Sequence, residues 1–125
     1  MRIVVLCERM AGERRVALTP EAAQTLVSDG HSVVVESGAG VAAGMPDDAY
    51  LTVGATVAPD LAATVGDAGV VVSVNGPTDG ATLGHLGAGH ILVGLFDPFW
   101  LPDVAARAAA TGATMTALDL APRRT

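Results

Sequence analysis

Lysine is absent from this 125-residue chain; all seven basic residues are arginines. Chemistry that needs a lysine ammonium as its electrophile is thereby excluded. Cysteine occurs once, at Cys7. No intramolecular disulfide can form, and a reducing compartment is the expectation. Aromatic residues make up 3% of a chain that is 50% hydrophobic, so Val, Ala and Leu must fill the interior. Positive charge is scarce too. Seven basic against thirteen acidic residues give a net charge of −6, which argues against nucleic acid and anionic membrane as partners. No apolar run approaches the ~18 residues of a membrane helix, so no direct membrane insertion is expected. Ile3 already belongs to the first predicted strand, so no leader is expected ahead of it.

The length suits a single domain with a real core. Strands are predicted near Arg2–Leu6, Ser32–Glu36, Gly69–Val74, Ile91–Leu95 and Thr114–Leu118. Each is a short apolar run rather than an alternating one, as expected for strands covered on both faces. Helices are predicted over Pro20–Ser28, Pro46–Leu51, Pro59–Val65 and Leu101–Ala110, the last with an apolar stripe at helical spacing. Asn75–Gly89 is broken by glycine and proline and reads as loop with at most one short helix. Alternating strand and helix at this pitch predicts an α/β domain. Its sheet is doubly wound and mostly parallel, with about five or six strands, in a Rossmann-like or flavodoxin-like three-layer arrangement.

The stretch Gly12–Glu21, GERRVALTPE, carries the strongest local signal. Thr19 can cap a helix, Pro20 fits its first position, and Glu21 complements its dipole. Strand, charged loop and helix start together place Arg14 and Arg15 at the C-terminal edge of the sheet, where such sheets bind ligands. The plainer alternative for both is a solvated loop charge.

Gly38-Ala-Gly40-Val-Ala-Ala43 fits the dinucleotide fingerprint and follows a strand. Gly44 and Pro46 leave no room for the helix that the fingerprint needs, and no acidic residue ends a strand about 20 positions on. A Gly-rich turn is the expectation. His31, His85, His90 and Cys7 lack ligand spacing, so no metal site is expected; His31 and His90 each read as opening a strand. Cys7 reads as a small filler at a strand end, with a reactive thiol as the alternative. Asp97, at the end of the fourth strand, is placed either to cap the following helix or to orient Arg15. No serine has a nucleophile-elbow setting.

The opening MRIVVLCERMAGERRVALTPEAAQTLVSDGHSVVVESGAGVAAGMPDDAY resembles that of the alanine dehydrogenase and NAD(P) transhydrogenase alpha-subunit family. The resemblance continues through GVVVSVNGPT, ILVGLFDPFW and LDLAPRRT, nearly the whole chain. RVALTP and ESGAG, with the following AG and Asp-x-x-Tyr, are specific in combination. The LFDP segment is more similar to the transhydrogenase branch.

Several expectations follow from the resemblance alone. Residues 1–125 would form the N-terminal, non-nucleotide-binding subdomain, without the Rossmann subdomain that binds NAD(H). Arg15 matches an arginine that holds the substrate carboxylate in alanine dehydrogenases. The lysine of the family's V-K-x-x-x-P element is Ser73 here, and the lysine of its PKE element is Cys7. A working alanine dehydrogenase is therefore not expected. Arg123 matches an arginine that approaches the nicotinamide, although its glutamine and aspartate partners would lie beyond Thr125. Read from its position alone, it is a solvated tail.

The leading expectation is the N-terminal portion of a proton-translocating transhydrogenase alpha subunit, catalytically inert alone and binding no cofactor by itself. NAD(H) is implied for the complete subunit. Homo-oligomers, or NAD-binding and membrane partner subunits, are the implied partners. The implied location is cytoplasmic, peripheral to the inner membrane face through those subunits. Alternatives are a stand-alone, non-catalytic interaction protein, a residual small-carboxylate binder using Arg15, and a fragment of an alanine dehydrogenase-like protein.

Overall fold

The computed structural model describes residues 1–8, 12–60, 65, 69–75, 84–87, 89–95, 111–112 and 114–117. Six strands form one sheet: β1 Arg2–Val5, β2 Ser32–Glu36, β3 Thr56–Ala58, β4 Val70–Asn75, β5 Ile91–Leu95 and β6 Thr114–Ala117. Their order is β3-β2-β1-β4-β5-β6, and every pairing is parallel. The order reverses between β1 and β4, which opens a crevice beyond their C-terminal ends.

The valine-rich strands are explained by their two covered faces. Val4, Leu6, Val34, Ala58, Val71 and Leu92 pack on one face with Val65 and Leu86 from later connections. Val5, Val33 and Val35 pack on the other with Ala23, Ala39, Tyr50 and Ala55. The doubly wound α/β expectation holds. β3 is a sixth strand beyond the five predicted. It is only three residues long and follows the Gly54 turn directly, so its apolar run is too short to register as a pattern.

Helix α1 spans Pro20–Ser28, as predicted. The Thr19 hydroxyl accepts from the Ala22 N–H at 3.2 Å, Pro20 begins the helix, and Glu21 lies in its first turn. At its end the His31 N–H reaches Leu26 O and the Gly30 N–H reaches Val27 O, with Gly30 at φ 92°. That is a Schellman stop. Helix α2 spans Asp47–Thr52, one residue later than predicted, with Pro46 as its extended cap residue. It closes in the same way through Gly54 and Ala55. Of the predicted helix at Pro59–Val65 only Pro59, Asp60 and the helical Val65 are described, and Leu101–Ala110 lies outside the described residues, as does most of Asn75–Gly89. Among the described residues, no helix is long and apolar enough to cross a membrane.

The chain's one tyrosine sits at the centre of this packing. Tyr50 is fully buried, and its hydroxyl donates to Leu18 O at 2.7 Å. The bond ties the β1–α1 loop to α2. Burial, with a smaller contribution from the Asp47 charge, raises the phenol above its ordinary 10.0. A raised acid favours the fold while protonated, so this stability is complete below pH 10.0 and is lost as pH climbs through the raised value. Tyr50→Phe is expected to cost about 1–3 kcal/mol at neutral pH by stranding the Leu18 carbonyl. The variant should also show a shallower alkaline loss than the parent. Urea unfolding at neutral pH and above pH 10.0 measures both effects.

Candidate functional site

A cavity of about 350 Å³ opens at the C-terminal ends of β4 and β5. Val72, Ser73 and Val74 of β4 and Val93 and Gly94 of β5 form its floor. Arg15, Val16 and Ala17 of the β1–α1 loop form its outer wall. The wall is held from behind by the Tyr50–Leu18 bond, and Val16 and Leu18 pack against the core around Tyr50. The lining is mostly apolar, with a hydroxyl at Ser73 and a guanidinium at Arg15 as its polar side chains.

Arg15 and Ser73, expected with Asp97 to line one substrate-like cleft, both border this space. Ser73 is buried. It stands where β4 and β5 slip in register between Val72 and Asn75. Gly94 fits this slip because it has no side chain: a Cβ there would lie 2.6 Å from Ser73 O. The two strands can therefore approach only through a glycine.

Among the described residues, Arg15 pairs with Glu13, two positions earlier. The Arg15 Nε donates to Glu13 Oε2 at 2.9 Å, Nη2 donates to Oε1 at 2.7 Å, and the backbone N–H donates to Oε2 at 2.9 Å. The Arg15 side chain is 63% exposed and that of Glu13 only 10%. The hydrogen bond to Glu13, reinforced by its charge, raises the Arg15 guanidinium still further. Arg14 is exposed. Asp97 and Arg123 lie outside the described residues.

Among the described residues, two further carboxylates bridge neighbouring strands at the sheet's C-terminal edge. Glu8 Oε2 accepts the Val74 N–H at 2.8 Å, which bridges the end of β1 to β4. Buried Glu36 accepts the Cys7 N–H at 2.8 Å, which bridges β2 to β1. The Cys7 thiol donates to Ser37 O at 3.2 Å, and its half-buried side chain packs beside the Tyr50 core. Glu8, Glu13 and Glu36 were not singled out from sequence. Their signal is the position of each acid at or just beyond a strand end, which alone does not separate a bridge from a solvated charge.

The Gly38–Ala43 loop turns back on its own helix. Asp47 accepts from the Ser37 hydroxyl at 2.7 Å and from the Gly38 N–H at 2.9 Å. A Cβ on Gly40 would lie 2.5 Å from Met45 O and 3.0 Å from the Tyr50 ring. Only a three-residue 3₁₀ turn, Val41–Ala43, follows. His31 directly precedes β2, and His90 directly precedes β5 with its Nδ1 accepting the Gly87 N–H at 2.9 Å. Among the described residues, no group of three or more His, Cys, Asp or Glu could hold a metal ion.

The family description "Alanine dehydrogenase/PNT, N-terminal domain" matches residues 4–125. The chain belongs to this family. It is 39% identical over 123 residues to the NAD(P) transhydrogenase subunit alpha of Cereibacter sphaeroides, covering 98% of this chain and 23% of that protein. Alanine dehydrogenase of Halomonas elongata is 38% identical over 92 residues, covering 74% of this chain and 24% of that protein. Among solved structures, the transhydrogenase of Sinorhizobium meliloti superposes with a TM-score of 0.89 at 31% identity, covering 100% of this chain and 37% of that one. An L-alanine dehydrogenase superposes with a TM-score of 0.86 at 30% identity, over 94% of this chain and 32% of that one. The chain therefore spans well under half the length of these members of the alanine dehydrogenase and transhydrogenase family.

Within this family fold, Gly94→Ala is expected to push the Ser73 carbonyl out of register. Overpacking of this kind costs about 1–3 kcal/mol. A lower urea midpoint, together with shifted amide signals at Ser73 and Val74, would report it.

Proposed function

We propose that this chain is the N-terminal domain of an NAD(P) transhydrogenase alpha subunit. In this reading it forms one wall of the cleft in which hydride passes between NAD(H) and NADP(H). The observation that carries the proposal is the match along the whole chain, in sequence and in fold, to transhydrogenases several times its length.

The chemistry of the chain supports a supporting wall rather than a self-sufficient catalyst. A dinucleotide site needs free N–H groups at a helix start and no competing negative charge. Here the Gly38 N–H is taken by Asp47, and the space beside Gly40 is filled by Met45 and Tyr50. The turn after β1 carries Glu8 and Glu13 where a phosphate-binding loop has glycines. NAD(H) does not fit either loop, so the remainder of the subunit must hold it. Among the described residues, the cavity offers no cationic electrophile other than a guanidinium paired with Glu13, and the chain has no lysine. Oxidation of alanine is therefore not its task. Partner subunits supply the NADP(H) site and any attachment to a membrane, and the domain works on the cytoplasmic side.

Titration of the purified chain with NADH, followed by ligand-observed NMR, tests this directly. The expected result is no saturable binding at the roughly millimolar end of the affinity scale. The expected gain on mixing is a stable complex with the NAD-binding part of a transhydrogenase alpha subunit. Saturable NADH binding to the chain alone would overturn the division of labour described here.

A further inference from the structure

The short helix α2 fastens two separate parts of the surface. Its first residue, Asp47, accepts from the Ser37 hydroxyl at 2.7 Å and from the Gly38 N–H at 2.9 Å, which holds the Gly38–Ala43 turn. Its fourth residue, Tyr50, donates to Leu18 O at 2.7 Å, directly after the Arg15–Ala17 segment that walls the cavity. Residues three apart share one side of a helix, so both fastenings leave α2 on the same side. In the chain, the two held segments are separated by α1 and β2.

The connection between them has little slack. Gly40 O accepts the Ala43 N–H at 3.0 Å and the Met45 N–H at 2.8 Å, which ties the turn to the start of α2. A Cβ at Gly40 would lie 3.0 Å from the Tyr50 ring, so turn and ring are already close. The ring is fully buried and has no free space in which to swing. Val16 and Leu18 on the wall side pack against the same core as Met45 on the turn side. The tip of the turn stands at the surface, with Val41 61% exposed. The floor of the cavity is fixed differently, through the parallel ladder between β4 and β5. We propose that the turn, α2 and the cavity wall move as one lever: displacing the Gly38–Ala43 turn rocks α2, and Tyr50 carries Leu18 and the Arg15–Ala17 wall relative to the β4–β5 floor. The width of the cavity is thereby set from a surface turn that does not line it. This conformational device goes beyond the transhydrogenase reading and does not rest on it.

Coupling of this kind is established by a double-mutant cycle rather than by proximity. Backbone amide signals of Val16, Ala17 and Leu18 in the isotope-labelled 125-residue chain read the wall. Asp47→Ala and the milder, uncharged Ser37→Ala each loosen the turn. In both variants the three wall signals should shift, while the signal of Leu92 in β5 stays in place. Tyr50→Phe keeps the ring and removes its bond to Leu18. In that background the same two substitutions should still shift Val41, Ala42 and Ala43 but leave the wall signals where Tyr50→Phe alone puts them. Signals of the native state do not move when a variant only loses stability, so a shift reports a displaced wall. Unmoved wall signals in folded Ser37→Ala overturn the proposal, and so do wall shifts that persist in full with Tyr50→Phe. If Asp47→Ala does not fold, Ser37→Ala decides alone.

Discussion

The hydrogen bond from the buried Tyr50 hydroxyl to the Leu18 carbonyl is the constraint on which the rest of the site depends. It fixes the loop between β1 and α1 against α2, and that loop supplies the outer wall of the cavity. The same tyrosine ring leaves room for only a glycine at position 40, which draws the Gly38–Ala43 turn onto the domain. Asp47, three residues before Tyr50, then fastens that turn through Ser37 and Gly38. One aromatic side chain therefore organises two loops. Among the described residues, Tyr50 is the one Phe, Tyr or Trp ring.

Carboxylates hold the crevice above the sheet where phosphate-binding folds of the same strand order place bare backbone N–H groups. Glu8 and Glu36 each accept an N–H beyond the last ladder pairing, from Val74 and Cys7. These bonds satisfy donors that diverging strands leave over. The result is a Rossmann-like topology in which Glu8 and Glu36 bind backbone N–H groups at the C-terminal edge of the sheet.

Much of the fold was legible in the sequence because burial on both faces writes itself as runs of valine. β2, β5 and α1 fall on the predicted residues, and the Thr19-Pro20-Glu21 start and the glycines after α1 and α2 mark their boundaries locally. β3 escaped because three residues cannot show a period. The site was only half legible. Arg15 could be placed at the sheet edge from topology, since its loop follows a strand, whereas Ser73 was reached through the family resemblance, as the lysine position of V-K-x-x-x-P. The Glu13 pairing was not foreseen, because a contact two residues apart in a loop depends on the loop's path and not on any repeating geometry. Glu8 and Glu36 were hidden for another reason: their partners lie 66 and 29 residues away.

The strand order also dictates when each half of the molecule can exist. β1 pairs with β2 across about thirty residues, Ile3 with Val33, but with β4 only across more than twice that distance, Ile3 with Val70. β3, β2, β1, both described helices and the Tyr50–Leu18 clasp all come from the first 58 residues. As the chain leaves the ribosome, that half can collapse on short loop closures while β4 is still unsynthesised. The β1 edge then stays open, a template awaiting its second neighbour. The cavity is assembled last, when β4 and β5 zip onto a wall that has been standing since the first half folded.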